Sequence, residues 1–443
     1  MFRTALDALS RFLARVERGR LLVYAAARMG ERIRRVAIVG GGPSGAALAA
    51  YLRRAGIGAA FFARAKRPPI IVGESLVPAV IPFLKDLGIE DEVAAYSVYK
   101  PGATFSFHPV MQLSFRFSDR RGAKTPYAYN VPRDLFDASI AGAAERLGAV
   151  RIDQSARFER DGDSDRVRLA PESLEAATQA LGGAPQYLVD ATGRARTVAH
   201  LLDLPTVEGP RKDTALHAHC TGVKTVLPGN VHSDRLERGW AWRIPLPGKV
   251  SVGIVTPTEH IARFGNTIEE QYDNFLRTDE CARQWAEKAE RVTPVVKYTN
   301  YQMRAVRAVG PGWALCGDAF GFIDPVLSSG TLLAFDGGQS LAIAIKDGSA
   351  RALSRYESRA ARNLDDWFRI VDAYYSGRLF TLFKVGEWVR HTWLGKATDW
   401  HFRKHLPRVF TGEATDSRYS MRVVDFMLKY GLAGNDPDEF AVR

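Results

Sequence analysis

A chain of 443 residues, 46 % hydrophobic and 25 % charged, has the composition of a soluble globular protein and is too long for one compact core, so one elaborate fold or two to three domains is expected. No run of about 18 apolar residues escapes a charge, which excludes a membrane-spanning helix from the reading. The 61 Lys and Arg against 49 Asp and Glu, a formal +12, accompany no nucleic-acid-binding motif and read as a basic surface.

Cys220, Cys281 and Cys316 are an odd number at unrelated spacings, which signals neither a disulfide framework nor a metal site and fits a reducing cytoplasm. Residues 1–35 are Arg-rich, and Phe2, Leu6, Leu9, Leu13 and Val16 fall at helical spacing. Such a basic amphipathic extension reads as a peripheral membrane contact or a targeting peptide, or as a helix packed on the domain. Arg11, Arg15, Arg18 and Arg20 interrupt any secretory core.

Arg35-Val36-Ala37-Ile38-Val39 reads as a buried strand, followed by a turn and a helix that Gly56 closes. Gly40, Gly42 and Gly45, with Pro43 and Ser44 between them, fit the dinucleotide fingerprint: a tight turn, a backbone that can approach a pyrophosphate, and close helix-to-strand contact. The free N–H groups of the helix start would take the phosphates, and the Pro-Ser-Gly variant resembles FAD proteins more than NAD proteins. The second strand, Ala59 to Phe62, should end in a ribose-binding carboxylate, yet Ala63 stands there and Arg64 follows.

Beyond Gly73-Glu74-Ser75, alternation from Ala103 onward predicts a strand with Lys100 at its mouth, where lysine is ordinarily solvated. A helix begins near Arg133, and Tyr187 to Arg194 reads as a buried strand with a small-residue turn. Alternating runs between 205 and 260 predict an antiparallel sheet on the substrate side. His217 and His219 share one face of it, and without a third ligand nearby they read as ordinary strand positions. Trp313 to Ala319, with Gly317-Asp318, closes the nucleotide fold, and Ser328-Ser329-Gly330 opens a long apolar helix whose N–H groups point at an anion or are simply capped. From Gly348 the chain is helical and aromatic, with Trp367, Phe368, Tyr374, Tyr375, Phe380, Phe383, Trp388, Trp393 and Trp400 packing helices on the sheet or covering a flat ligand.

The fold class expected is α/β: a two-dinucleotide-binding Rossmann FAD domain with an inserted antiparallel substrate sheet and a C-terminal helical region. Residues 36–100, 126–204 and 300–346 are assigned to the FAD domain, 101–125 and 205–299 to the sheet, and 347–443 to the helices.

Five motifs in order, the glycine loop, Gly73-Glu74-Ser75, Lys100-Pro101-Gly102-Ala103-Thr104-Phe105, Trp240-Ala241-Trp242-Arg243-Ile244-Pro245 and Phe322 to Gly330, resemble the flavin-dependent halogenases. The two-tryptophan motif is the discriminating one, and the branch acting on phenols, pyrroles and carrier-bound aromatics is the more similar. The resemblance implies that FAD, reduced by a separate flavin reductase, reacts with O2 to a C4a-hydroperoxide that halide attacks. Hypohalous acid then passes to Lys100, the catalytic residue, for electrophilic halogenation. It further implies cofactor contacts from Gly40, Gly42, Pro43, Ser44, Gly45, Glu74, Ser75, Arg133, Gly317, Asp318, Pro325 and Gly330, halide at the amides of Ser329 and Gly330, and a barrier between flavin and substrate made by Trp240, Trp242 and Pro245.

The tryptophan-halogenating branch carries glutamate where Leu327 stands, which points away from free tryptophan, and Ala63 departs from both branches. Two other readings share the fold: an FAD-dependent hydroxylase or dehydrogenase of a polyene or lipid, and a flavin-poor scaffold in a biosynthetic complex.

Overall fold

The strand Arg35–Val39 is apolar from Val36 onward and lies in the interior of a six-stranded sheet. This computed structural model describes residues 32–64, 70–107, 111–119, 125–389, 400, 401, 403–432 and 434–442. The expected N-terminal amphipathic helix, Trp393 and the side chain of Trp388 fall outside them. The six strands run in the order Val309–Gly310, Trp313–Leu315, Tyr187–Asp190, Arg35–Val39, Gly58–Phe62, Val150–Ile152, parallel except for the first pair. Strands buried on both faces need continuous apolar sequence rather than alternation, which is how the first three residues after Arg35 read.

The turn after Arg35–Val39 is set by backbone rather than side chain. Gly40 sits at φ +122°, and a Cβ there would stand 2.1 Å from the Ala191 carbonyl oxygen. A Cβ on Gly45 would stand 1.9 Å from the carbonyl oxygen of Gly40, so the helix Pro43–Arg54 can lie this close to the strand only with glycine. The same helix packs along Gly330–Asp347, where a Cβ on Gly338 would be 3.0 Å from Leu48 N. Their close approach brings two helix N-termini to one side of the parallel sheet.

A nine-stranded sheet forms the second layer. Its path is Gly321–Phe322, Val296–Ala305, Thr206–Thr221, Lys249–Pro257, Trp240–Leu246, Val231–Arg235, Gly102–Phe107, Met111–Arg116, with Glu290–Arg291 paired to the side. It is antiparallel throughout except where Val231–Arg235 runs parallel to Gly102–Phe107, a pairing between distant segments that alternation along either one does not encode. A separate small core, with Leu216, Ile254, Tyr272, Phe275 and Trp285, joins this sheet to the helices Ile268–Thr278 and Glu280–Ala286. A capping box of Thr267 and Glu270 starts the first of these.

The C-terminal helices Ala350–Tyr375, Arg378–Val389 and Arg408–Thr411 lean on the sheet through aromatic rings. Phe380 lies 5.0 Å from Phe105 and 4.4 Å from Phe107, and Phe410 lies 4.9 Å from Phe115, centroid to centroid. These are the packing contacts that the aromatic richness of the tail leads one to expect.

Candidate active site

A cavity of about 430 Å³ opens between the two sheets. At one end its wall is Gly42, Pro43 and Ser44 with Thr192, Gly193, Arg194 and Asp318; at the other it is Thr104, Phe105, Val231 and Ser233. Ser328 and Gly330 bring the start of Gly330–Asp347 to the same space. Neither helix start carries an acidic residue in its first turn or a side-chain cap, so both leave N–H groups available to an anion. Ser329 is buried with its hydroxyl unpartnered, so of the two alternatives the simple side-chain cap is not made.

Asp318 faces the cavity, and burial pushes its carboxyl up to about 6 while Arg194 and Arg133 pull it back. Arg133 is anchored by Asp137 at 3.0 Å and by the Val72 carbonyl, and Arg194 lies over the rings of Tyr298 and Phe322 at 5.1 and 4.7 Å. Glu74 is buried and 2.7 Å from His219 Nε2. His217 stacks at 5.7 Å on Tyr298, and burial lowers it to about 4, so it is neutral at physiological pH. The two histidines of the Thr206–Thr221 strand thus support the cavity wall.

Trp240, Trp242 and Ile244 alternate on one face of their strand and line the cavity. The indoles lie 5.7 Å apart at 45°. Trp242 Nε1 donates to Ser251 Oγ at 3.2 Å and Trp240 Nε1 to the Tyr375 hydroxyl at 2.8 Å, so both rings are fixed. Pro245 follows on the opposite face and is not part of the lining.

Lys100 is 2 % exposed, and the solvated position its place at a strand mouth suggests is not what the fold produces. Its Nζ donates to Ser75 Oγ at 2.9 Å and the Leu76 carbonyl at 2.7 Å, with the Phe117 ring 5.5 Å away. The Ser75 hydroxyl in turn donates a hydrogen bond to Asn130 Oδ1 at 2.8 Å. The amine therefore stands directly behind Ser75, which lines the cavity. Burial lowers it to about 7, so amine and ammonium coexist at neutral pH.

Of the residues singled out from sequence as cofactor contacts, Gly42, Pro43, Ser44, Glu74, Ser75, Arg133, Asp318, Pro325 and Gly330 line one cavity. Gly40, Gly45 and Gly317 lie behind it: the first two set the turn, and a Cβ on Gly317 would press on Ser44 at 2.7 Å. Nothing stands within 4 Å of where a Cβ would be at Gly42 or Gly330, a cradle open at both helix starts. With the guanidinium of Arg133 and the carboxyl of Asp318, this set has the donors and the acceptor that the diphosphate and ribityl chain of FAD require. Tyr298 and Ser233 carry no signal in the sequence, and Tyr375 and Asp324, visible there only as one aromatic of the tail and one residue of the Phe322 to Gly330 motif, gain their roles from partners tens of residues away.

Residues 34–364 match the family described as FAD binding domain. The chain is 26 % identical over 388 residues to the 1H-pyrrole-2-carbonyl-(peptidyl-carrier protein) chlorinase of Pseudomonas fluorescens, covering 79 % of this chain and 85 % of that one. It is 27 % identical over 379 residues to the tryptophan 2-halogenase of Chondromyces crocatus, covering 82 % and 72 %. Among solved structures the flavin-dependent brominase Bmp2 superposes with a TM-score of 0.71 at 19 % identity, over 90 % of this chain and 99 % of that one, a likeness of fold.

Proposed function

The chain belongs to the FAD binding domain family, among the flavin-dependent halogenases, and from that premise we propose that it halogenates an electron-rich aromatic, phenolic or carrier-bound, through Lys100. The observation that carries this reading is the buried amine behind Ser75, without a carboxylate partner among the described residues, where Ser75 itself lines a cavity walled by two tryptophans.

Gly42, Ser44, Arg133 and Asp318 would hold FAD, which, once reduced by a separate flavin reductase, supplies the oxidising equivalents drawn from O2. The start of Gly330–Asp347 offers halide the amides of Ser329 and Gly330, at the positive end of an 18-residue helix. Trp240 and Trp242 exclude water and keep the aromatic substrate from the oxidising centre, so that the electrophile leaves as hypohalous acid. With two of its protons committed to Ser75 and Leu76, the Lys100 ammonium keeps a third to hold the oxygen of that acid while its halogen meets the ring.

Leu327 is apolar and buried, which supports a substrate other than free tryptophan although a tryptophan 2-halogenase is among the relatives. A substrate tethered to a carrier protein is favoured by the resemblance to the pyrrolyl-carrier chlorinase.

The test is incubation with FAD, a flavin reductase, chloride or bromide, and panels of free phenols and carrier-bound pyrroles, followed by mass spectrometry. A carbon–halogen bond on one panel member is expected, absent in Lys100→Ala while flavin oxidation persists. Product that gains oxygen-18 from labelled O2 and no halogen would instead make the protein a hydroxylase.

A further inference from the structure

Tyr375, the last residue of the helix Ala350–Tyr375, lies between two motifs that sequence treats as separate. Its hydroxyl accepts from Trp240 Nε1 at 2.8 Å and donates to Asp324 Oδ2 at 2.8 Å. Asp324 Oδ1 in turn accepts from Val326 N at 3.0 Å, capping the turn Pro325–Leu327. Tyr375, Trp240 and Asp324 are each no more than 5 % exposed, so each bond is made where water cannot replace it. Arg211 clamps the tyrosine ring from one side at 3.8 Å and is itself paired with Asp213 at 2.7 Å.

The turn that Asp324 caps leads directly to Ser328, a non-glycine residue at φ 58°, and then to the helix start at Gly330. A left-handed serine is held only where its surroundings over-determine it. The Val326 bond is one such restraint, and Tyr375 fixes the carboxylate that makes it.

We propose that Tyr375 is a positioning residue that ties the Trp240 wall to the Pro325–Gly330 turn, so that the amides of Ser329 and Gly330 keep the geometry halide requires. This rests on the halide-site reading of that helix start. Phenylalanine at 375 keeps the ring and its contact with Arg211 but breaks both hydrogen bonds.

Halogenation would be followed at varied bromide with saturating aromatic substrate, FAD and reductase, together with FAD affinity and thermal melting. Tyr375→Phe should raise the KM for bromide about tenfold, the effect of roughly one net buried hydrogen bond, that to Asp324 being the one of the two that bears on the turn, with kcat at saturating bromide within twofold and FAD affinity unchanged. Asp324→Asn, which keeps an oxygen for Val326 N but replaces the acceptor of the tyrosine hydroxyl with a donor, should raise the same KM and serves if the first variant folds poorly. An unsaturable bromide response in the unmodified protein would defeat the halide-site reading itself. A saturable response with KM unchanged within twofold in both variants would overturn the role of Tyr375, as would an equal loss of kcat, bromide KM and FAD affinity.

Discussion

Replacing Lys100 with methionine tests the burial on which its chemistry depends, without reference to any substrate. The amine is lowered from 10.5 to about 7 by burial alone, with 2 % exposure and two neutral acceptors. At about 1.36 kcal/mol for each pKa unit, carrying the charge into the folded state costs roughly 5 kcal/mol. The sign follows from which state holds more protons. Below pH 7 both states carry the charge and the full penalty is present; between pH 7 and 10.5 the unfolded chain keeps a proton that the folded one has lost, so stability rises with pH. Between pH 7 and 9 that gain is about 2 kcal/mol, and Lys100→Met lacks it. Urea unfolding of both proteins at the two pH values, at matched ionic strength, reads the difference directly. Profiles that stay parallel within about 0.5 kcal/mol would mean that solvent reaches the amine, and the argument from its burial would fall.

Three further outcomes follow from the cavity. If the ammonium holds the oxidant, halogenation per flavin oxidised should fall as pH rises through about 7, and a rise would assign the step to the free amine. Ala63 is buried at the end of its strand, where a carboxylate ordinarily meets the ribose, so Ala63→Glu should tighten FAD about tenfold, one charge-assisted hydrogen bond; fluorescence titration giving an unchanged Kd would show that the ribose lies elsewhere. Gly40→Ala puts a Cβ 2.1 Å from a carbonyl oxygen at φ +122°, and should lose several kcal/mol of stability together with FAD binding, which a melt with and without FAD would reveal.

What could be read from the chain is what its local cause lies in the chain. Gly40 to Gly45 announce the turn because the backbone there needs glycine, and Ser328-Ser329-Gly330 announces a helix start because the apolar period begins behind it. The helices between 268 and 286 were equally legible, through Thr267 and Glu270 and the spacing of Tyr272, Phe275 and Leu276, but are easily passed over among alternating strands. Lys100 is different in kind. Its burial is imposed by Phe117 and by Ser75, and nothing in Tyr99-Lys100-Pro101 distinguishes it from a solvated lysine. Tyr375 likewise looks like one more aromatic at helical spacing, and only the fold brings it to Trp240 and Asp324.

The distribution of charge gives these parts a common logic. Two helix starts without acidic residues, with Arg133 and Arg194, make one side of the cavity positive where anions would bind, and Glu74 and Asp318 are the carboxylates in its lining. Lys100 stands apart from both, facing neutral oxygens and a phenyl ring. A carboxylate beside it would hold it as a permanent ammonium, paired and unable to reorient toward a new acceptor. Without one, burial leaves the proton weakly held, and the amine can donate to an oxygen or accept an electrophile at neutral pH. The penalty in stability at Lys100 is therefore the physical condition for its reactivity, and a variant that supplied a counter-ion would restore the first at the expense of the second.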